Sequence, residues 1–377
     1  MNMPTEFTTL ARRALLLTLI AGVCAAGAVF ATAPDAWRLF RGSPSLVGVA
    51  ESGLPADPQP LWTFAAGDSI ESTAAIADGR VFFGSLDGTF YALSLDTGEE
   101  LWRFDAGHEI KSSPAIADGS VFFGDEGGNF RALDAASGEQ LWVTETGGGI
   151  VSAANMAGDT LLFGSYDNHL YAVDRSDGTV RWRVETGGYV NGTPAVIDNR
   201  VVSAGCDGVL RIVDLASGSL LQEIEIGAYI AASAAIAEGV AYFGTYENQV
   251  LAVDLEAGAV RWEYEHPERK FPYYSSAALR DGRLYLGGRD KMIHAIDAST
   301  GATLWTHRTR ARVDSSPVLV ADRLFVGGSD GIVRALDVNV GDPVWQFDTG
   351  SSLIASPAVA ASRLVIGSED GILYCFG

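Results

Sequence analysis

Tryptophan recurs along this chain at a nearly fixed interval, and that interval limits what the chain can fold into. Trp62, Trp102, Trp142, Trp182, Trp262, Trp305 and Trp345 stand 40, 40, 40, 80, 43 and 40 residues apart. Gln222 fills the vacant place in the 80-residue gap, so the repeat has eight copies, one with a substituted residue. A repeat of this length is a supersecondary unit that cannot bury its apolar face alone and must stack on its neighbours.

One copy, residues 101–140, reads LWRFDAGHEIKSSPAIADGSVFFGDEGGNFRALDAASGEQ. It holds four short β-like runs, Leu101–Phe104, Ala115–Ala117, Val121–Phe123 and Phe130–Leu133. Between them lie Asp118-Gly119, Gly127-Gly128 and Ser137-Gly138, dipeptides that supply the positive φ of tight turns. Four strands per copy predict an all-β, eight-bladed β-propeller of four-stranded antiparallel blades. A tryptophan buried at each blade joint contributes about 2–3 kcal/mol. The first copy opens with a tryptophan strand at Leu61–Phe64, and the last ends at Ile372–Phe376 without one. The N-terminal strand is therefore expected to complete the last blade, removing the edges an open ring exposes. The propeller spans 61–377, residues 34–60 are a leader packed on it, and a monomeric ring is expected.

Charge narrows the function. The chain has 26 Lys and Arg against 47 Asp and Glu, a net charge of −21, which argues against a nucleic-acid partner. Cys24, Cys206 and Cys375 form no C-x-x-C pair, so neither the usual zinc patterns nor a disulfide framework is expected. Arg12-Arg13 precede a charge-free run from Ala14 to Ala33. Residues 1–33 read as a signal peptide or an uncleaved membrane anchor, the chain's one expected membrane contact. Both readings make the chain exported, periplasmic or otherwise extracytoplasmic. Val23 is too large for the position before a lipidated cysteine, which disfavours lipidation at Cys24.

The segments ALSLDTGEELW (92–102), ALDAASGEQLW (132–142) and AIDASTGATLW (295–305) resemble the tryptophan-docking motif of the pyrroloquinoline-quinone-like (PQQ-like) repeat propellers. The leader Trp37-Arg38-Leu39-Phe40-Arg41-Gly42, with Gly53-Leu54-Pro55 and Leu61-Trp62, is similar to the opening of exported members. The resemblance covers residues 37–377. It implies one of two functions: a PQQ- and calcium-dependent quinoprotein dehydrogenase, or a cofactor-free periplasmic binding scaffold of the BamB type that serves outer-membrane protein assembly. The chain's size and plain blades fit the second branch, so no cofactor and no catalytic residue are expected. The adjacent-cysteine pair of the dehydrogenases is missing. An extracytoplasmic ligand-sensing domain is a third reading, favoured by an uncleaved anchor.

Ten and eleven residues past each docking position (shifted by the three-residue insertion in copy six) lie pairs drawn only from Gly, Ala, Ser and Thr, among them Ser72-Thr73, Ser112-Ser113 and Ser315-Ser316. Strands crowded around one axis require small side chains there. The residues just before these pairs, Glu71, Lys111, Val151, Asn191, Ala231, Tyr274, Asp314 and Ile354, are expected to line the channel mouth. Glu71, Asn191 and Asp314 offer calcium-type oxygens but fall in copies one, four and seven. Acidic residues recur in the turns at Asp87, Asp167, Asp207, Glu247, Asp290, Asp330 and Asp370, where turn capping is expected rather than metal binding. His108, His169, His266, His294 and His307 form no zinc-type set. His108 is expected in a surface loop and His294 at an ordinary strand position.

Copies six and seven break the pattern. From 266 to 312 there are nine Arg or Lys and four Asp or Glu. Three loops of one face carry most of these cations. Arg269, Lys270, Phe271, Tyr273, Tyr274, Arg289, Lys291, Arg308, Arg310 and Arg312 are accordingly the candidate surface for a protein partner in the cell envelope.

Overall fold

Short three-residue strands stand closest to the axis: Ala75–Ala77, Ala115–Ala117, Asn155–Ala157, Ala195–Ile197, Ala235–Ala237, Ala278–Arg280, Val318–Val320 and Ala358–Ala360. In this computed structural model, which describes residues 35–230 and 232–377, each begins a four-stranded antiparallel blade running outward. Blade 1 continues through Arg80–Gly84 and Thr89–Ser94 to the tryptophan strand Glu100–Asp105, and the pattern repeats around an eight-bladed ring. Middle strands are apolar on both faces and lie buried between neighbouring blades, where Phe90 stacks on Phe123 at 4.1 Å and Phe130 on Phe163 at 4.0 Å. Outer strands alternate between exposed and half-buried positions. The expected signal or anchor segment, and the channel position Ala231, lie outside the described residues. Among the described residues no helix is long and apolar enough to cross a membrane.

The ring closes as the sequence predicts. Pro60–Ala65 is the outer strand of blade 8, paired antiparallel with Ile372–Phe376 in the register Trp62↔Cys375 and Phe64↔Leu373. Every sequence copy is therefore split in space: its tryptophan strand finishes one blade and its other three begin the next.

The docking motif has a direct physical reading. Six of the seven docking indoles lie over the glycine of the next blade's outer turn, and all seven donate their N–H to a backbone carbonyl there. Trp62 reaches Leu95 O at 2.8 Å, Trp182 reaches Leu215 O at 2.9 Å, and Trp305 reaches Val338 O at 3.0 Å. Trp102, Trp142 and Trp262 do the same, and Trp345 crosses the seam to Pro58 O at 3.0 Å. Glycine is required beneath the ring. Gly138 has φ 76°, and a Cβ there would lie 2.7 Å from Trp102. Gln222 occupies the docking place over Gly258. Gln222→Trp is expected to stabilise the protein by about 1–2 kcal/mol through a new bond to Leu255 O and added burial. Chemical denaturation measures this, and an unchanged midpoint would refute the motif's energetic role.

The leader does more than pack on the ring: it threads along the inner edges of the blades. Trp37 exchanges two backbone bonds with Ile76, at 2.7 and 2.9 Å. The carbonyls of Arg38, Pro44, Ser45, Val47 and Gly48 then accept the N–H groups of Ile116, Val196, Ile236, Leu279 and Leu319. In blade 3, Asn155 Nδ2 bridges Pro44 O and Pro194 O at 2.8 Å each. Val49–Ala50 adds a fifth, parallel strand to blade 7. Inner-edge groups that would otherwise face the axis are thus satisfied. Arg41 is buried and staples the leader to Ala277 O at 3.1 Å and Pro317 O at 2.5 Å, and burial pulls its guanidinium down to about 9.

Candidate functional site

The eight small inner strands leave an axial cavity of about 190 Å³. Phe40 of the leader forms part of its lining. Glu71, Lys111, Val151, Asn191, Tyr274, Asp314 and Ile354, the residues expected at the mouth, all line it. Beneath them runs a belt of hydroxyls. Ser113 Oγ accepts the Thr73 N–H at 2.9 Å, and Ser233, Ser276, Ser316 and Ser356 accept backbone N–H groups from the preceding blades at 2.9–3.0 Å. The small-residue pairs are therefore inter-blade staples as well as steric necessities. Thr73, also buried, makes no hydrogen bond through its own hydroxyl and faces the pocket.

The mouth is electrostatically divided. Lys111 sits between Glu126 at 2.8 Å and Glu109 at 3.2 Å. Burial opposes its charge, but the bonds to these two carboxylates outweigh that and hold the ammonium above the ordinary lysine range. Glu71 has no hydrogen-bond partner. Burial raises its carboxyl above the usual range; Lys111 pulls it back, while Glu369, Glu109 and Glu126 push it further up. On the far side, Asp314 takes a bidentate pair from Arg289 at 2.9 Å and a contact from Arg312 at 3.1 Å. The Arg289 guanidinium lies 3.5 Å from the centre of the Tyr274 ring.

The proposed calcium oxygens do not assemble a cage. Glu71, Asn191 and Asp314 stand on separate blades, Asp314 is held by two arginines, and no group of three or more His, Cys, Asp or Glu is placed to hold a metal among the described residues. The turn carboxylates are caps. Asp87 accepts the Thr89 N–H at 2.7 Å, the Gly67 N–H of the preceding link at 2.8 Å and the Tyr91 hydroxyl at 2.7 Å. Asp167 does the same with Gly147 and Tyr171, and Asp207 and Asp330 pair with Arg211 and Arg334. Cys206 and Cys375 are free thiols. His108 is exposed, whereas His294 is fully buried between Asp290 at 3.0 Å and the Tyr264 hydroxyl at 3.1 Å.

The structure brings together the loops of the cationic candidates on one face. Thr309 N–H reaches Lys291 O, Arg289 N–H reaches Pro272 O, and Arg269 Nη1 donates to Asp290 O. Lys270, Phe271, Lys291, Arg308, Arg310 and Arg312 are exposed, with Lys270 paired to Glu265. Lys291, Arg308 and Arg310 form no ion pair among the described residues. Tyr273 is a correction: it is fully buried, 5.3 Å from the His294 ring, and belongs to the blade core rather than to the surface. Tyr274 and Arg289 belong to the pocket mouth. Arg280 and Arg283, included in the cationic count, flank the Asp281-Gly282 turn at the opposite end of the blade.

Known proteins share this geometry. The profile of the PQQ-like repeat family described as outer membrane protein assembly factor BamB matches residues 52–157, 143–271 and 272–376. The chain belongs to this family. Among curated proteins no sequence matches it. Among solved structures it is similar to BamB from Moraxella catarrhalis, with TM-score 0.72 and 20% identity, covering 85% of this chain and 97% of that one. It is also similar to a europium-containing methanol dehydrogenase, with TM-score 0.80 and 13% identity over 92% of this chain and 98% of that one. The quinohemoprotein alcohol dehydrogenase of Comamonas testosteroni gives TM-score 0.78 and 13% identity over 91% and 80%. At these identities the structural likenesses establish the fold alone.

On this BamB-type ring, sequence reasoning missed an arc of tyrosines outside the mouth. Tyr166 stacks on Tyr189 at 4.7 Å, Tyr246 lies 4.8 Å from Tyr274, and Tyr189 and Tyr229 are 52% and 57% exposed. Burial pushes the Tyr246 hydroxyl up to about 12. The signal was present: Tyr166, Cys206, Tyr246 and Arg289 hold the same turn position in successive copies, one residue before the capping carboxylate or its equivalent.

Proposed function

We propose that the chain is an exported, non-catalytic scaffold that captures a protein partner in the cell envelope, in the manner of an outer-membrane assembly factor. The observation that carries this reading is the cationic rim of blades 6 and 7. The loop 265–274 breaks the repeat, and beside it Lys291, Arg308 and Arg310 stand exposed without counter-charges on a ring of net charge −21. Exposed Phe271, at 49%, adds an apolar anchor within that rim. Unpaired cations around an aromatic group attract and orient an acidic protein surface, chiefly through the association rate. Membership of the family described as outer membrane protein assembly factor BamB supports the same reading.

The competing reading, a PQQ- and calcium-dependent dehydrogenase, shares the fold, but Asp314 is already held by Arg289 and Arg312, and Glu71, Asn191 and Asp314 stand on separate blades. The test is site-specific photocrosslinking from position 291 in living cells. An adduct with one envelope protein is expected, and Arg310→Glu with Arg312→Glu should reduce it at least tenfold at unchanged melting temperature. Full adduct yield in the charge-reversed protein would sink the docking surface. Saturable binding of the quinone with calcium, followed by dye reduction with an alcohol, would instead establish the enzyme.

A further inference from the structure

We infer that the axial pocket is a binding site for an aliphatic ammonium group that pairs with Glu71. The site is centred on Glu71 of blade 1, whereas the exposed cations of the proposed partner surface lie on blades 6 and 7.

The mouth selects against the other ligand classes. Its one lysine, Lys111, is held by Glu109 and Glu126, which leaves no free cation on that wall for an anion. A metal ion lacks a converging ligand set among the described residues. What stands open is a carboxylate, Glu71, with no hydrogen-bond partner, half-enclosed on the pocket wall and disfavoured in its charged form by burial and by Glu369, Glu109 and Glu126. A group in that state gains more from an arriving cation than a solvated, paired one does. A second observation points the same way. Thr73, two residues beyond Glu71, is 4% exposed, lines the cavity and makes no hydrogen bond through its hydroxyl. An ammonium carries three N–H donors and no acceptor, which matches these oxygens. The cavity of about 190 Å³ accommodates a short stem and its head group and no large ligand.

A free alkyl diamine and a lysine side chain offered by another protein share this chemistry, and a titration separates them. Isothermal calorimetry of the full chain with putrescine, and with the peptide Gly-Gly-Lys-Gly-Gly, is expected to give one-to-one binding of at least one of the two at pH 8. Putrescine alone identifies a free amine as the ligand, and binding of the peptide identifies a lysine of a partner. Glu71→Gln should weaken binding at least tenfold. Lys111→Met should strengthen it, because removing the resident ammonium leaves Glu109 and Glu126 uncompensated; a gain of affinity is not produced by misfolding. Binding should also weaken from pH 8 to pH 5, since protonation of the raised Glu71 carboxyl removes the charge the ligand pairs with. No heat with either amine, equal affinity in Glu71→Gln, or displacement of the amine by calcium or glucose would each overturn the assignment. Loss of the crosslink in Arg310→Glu alone, which keeps the Arg312 pair with Asp314, leaves these titrations unchanged, so the two ideas fail separately.

Discussion

A chain starting at Ala66 is expected to lose its cooperative unfolding transition, while one starting at Pro34 keeps it. The shorter chain lacks both the closing strand and the leader. Blade 8 then exposes Ile372–Phe376 as a bare edge, and the paired bonds between Gln59 and Gly377, each 3.0 Å, are gone. Trp345 loses the Pro58 carbonyl that its indole N–H reaches across the seam. Along the axis, the N–H groups of Ile76, Ile116, Val196, Ile236, Leu279 and Leu319 lose their acceptors together. Each buried unpaired group costs about 1–3 kcal/mol, so this loss alone reaches or exceeds the roughly 5–15 kcal/mol that holds a typical protein folded. Near-ultraviolet circular dichroism during urea titration reads the outcome directly. A sigmoidal transition of unchanged midpoint in the shorter chain would show that ring closure is not what stabilises the fold.

The second large effect separates backbone strain from docking. Gly138→Ala and Gly258→Ala both place a methyl group on a positive-φ residue, at φ 76° and 64°, and share a strain cost of about 1 kcal/mol. Their surroundings differ. At Gly138 the new carbon falls 2.7 Å from the Trp102 indole, a rigid ring held in place by its bond to Ala135 O. At Gly258 it meets only the mobile end of Gln222, which can swing away. Gly138→Ala should therefore cost about 3 kcal/mol or more and Gly258→Ala about 1 kcal/mol. Matched urea denaturations of the two variants measure the difference. Equal losses would mean that the glycines serve the turn alone and that the indole contributes nothing.

Much of the fold is legible in the residues because a repeat multiplies its own evidence. A glycine that must sit under an indole recurs six times and a small pair that must fit beside an axis eight times, each at a nearly fixed interval, so chance agreement is filtered out. The same regularity located the pocket: the position preceding each small pair lines it in the seven copies whose residue there is described, whatever residue fills it. Tyr273 was misplaced for the converse reason. It lies in the one loop without counterparts, where alternation from neighbouring copies gives no guidance, and its ring fills the space beside His294. The tyrosine arc was missed because stacking of Tyr166 on Tyr189 joins residues of different turns, a juxtaposition that no single copy displays.

By itself, then, the sequence determined the blade count, the strand order, the closure of the ring and the identity of the channel-facing positions, since each follows from local periodicity and turn chemistry. The tertiary structure decided what the leader does and how the mouth is charged. The leader's backbone carbonyls bond to any strand edge of the right spacing, whatever side chains they carry, so its path around the axis leaves little trace in residue type. The mouth is built from charges far apart in sequence: Lys111 is spent on Glu109 and Glu126, Asp314 on Arg289 and Arg312, and only Glu71 is left without a partner. Electrostatic energy depends on separation in space, and that is set only when the eighth blade closes.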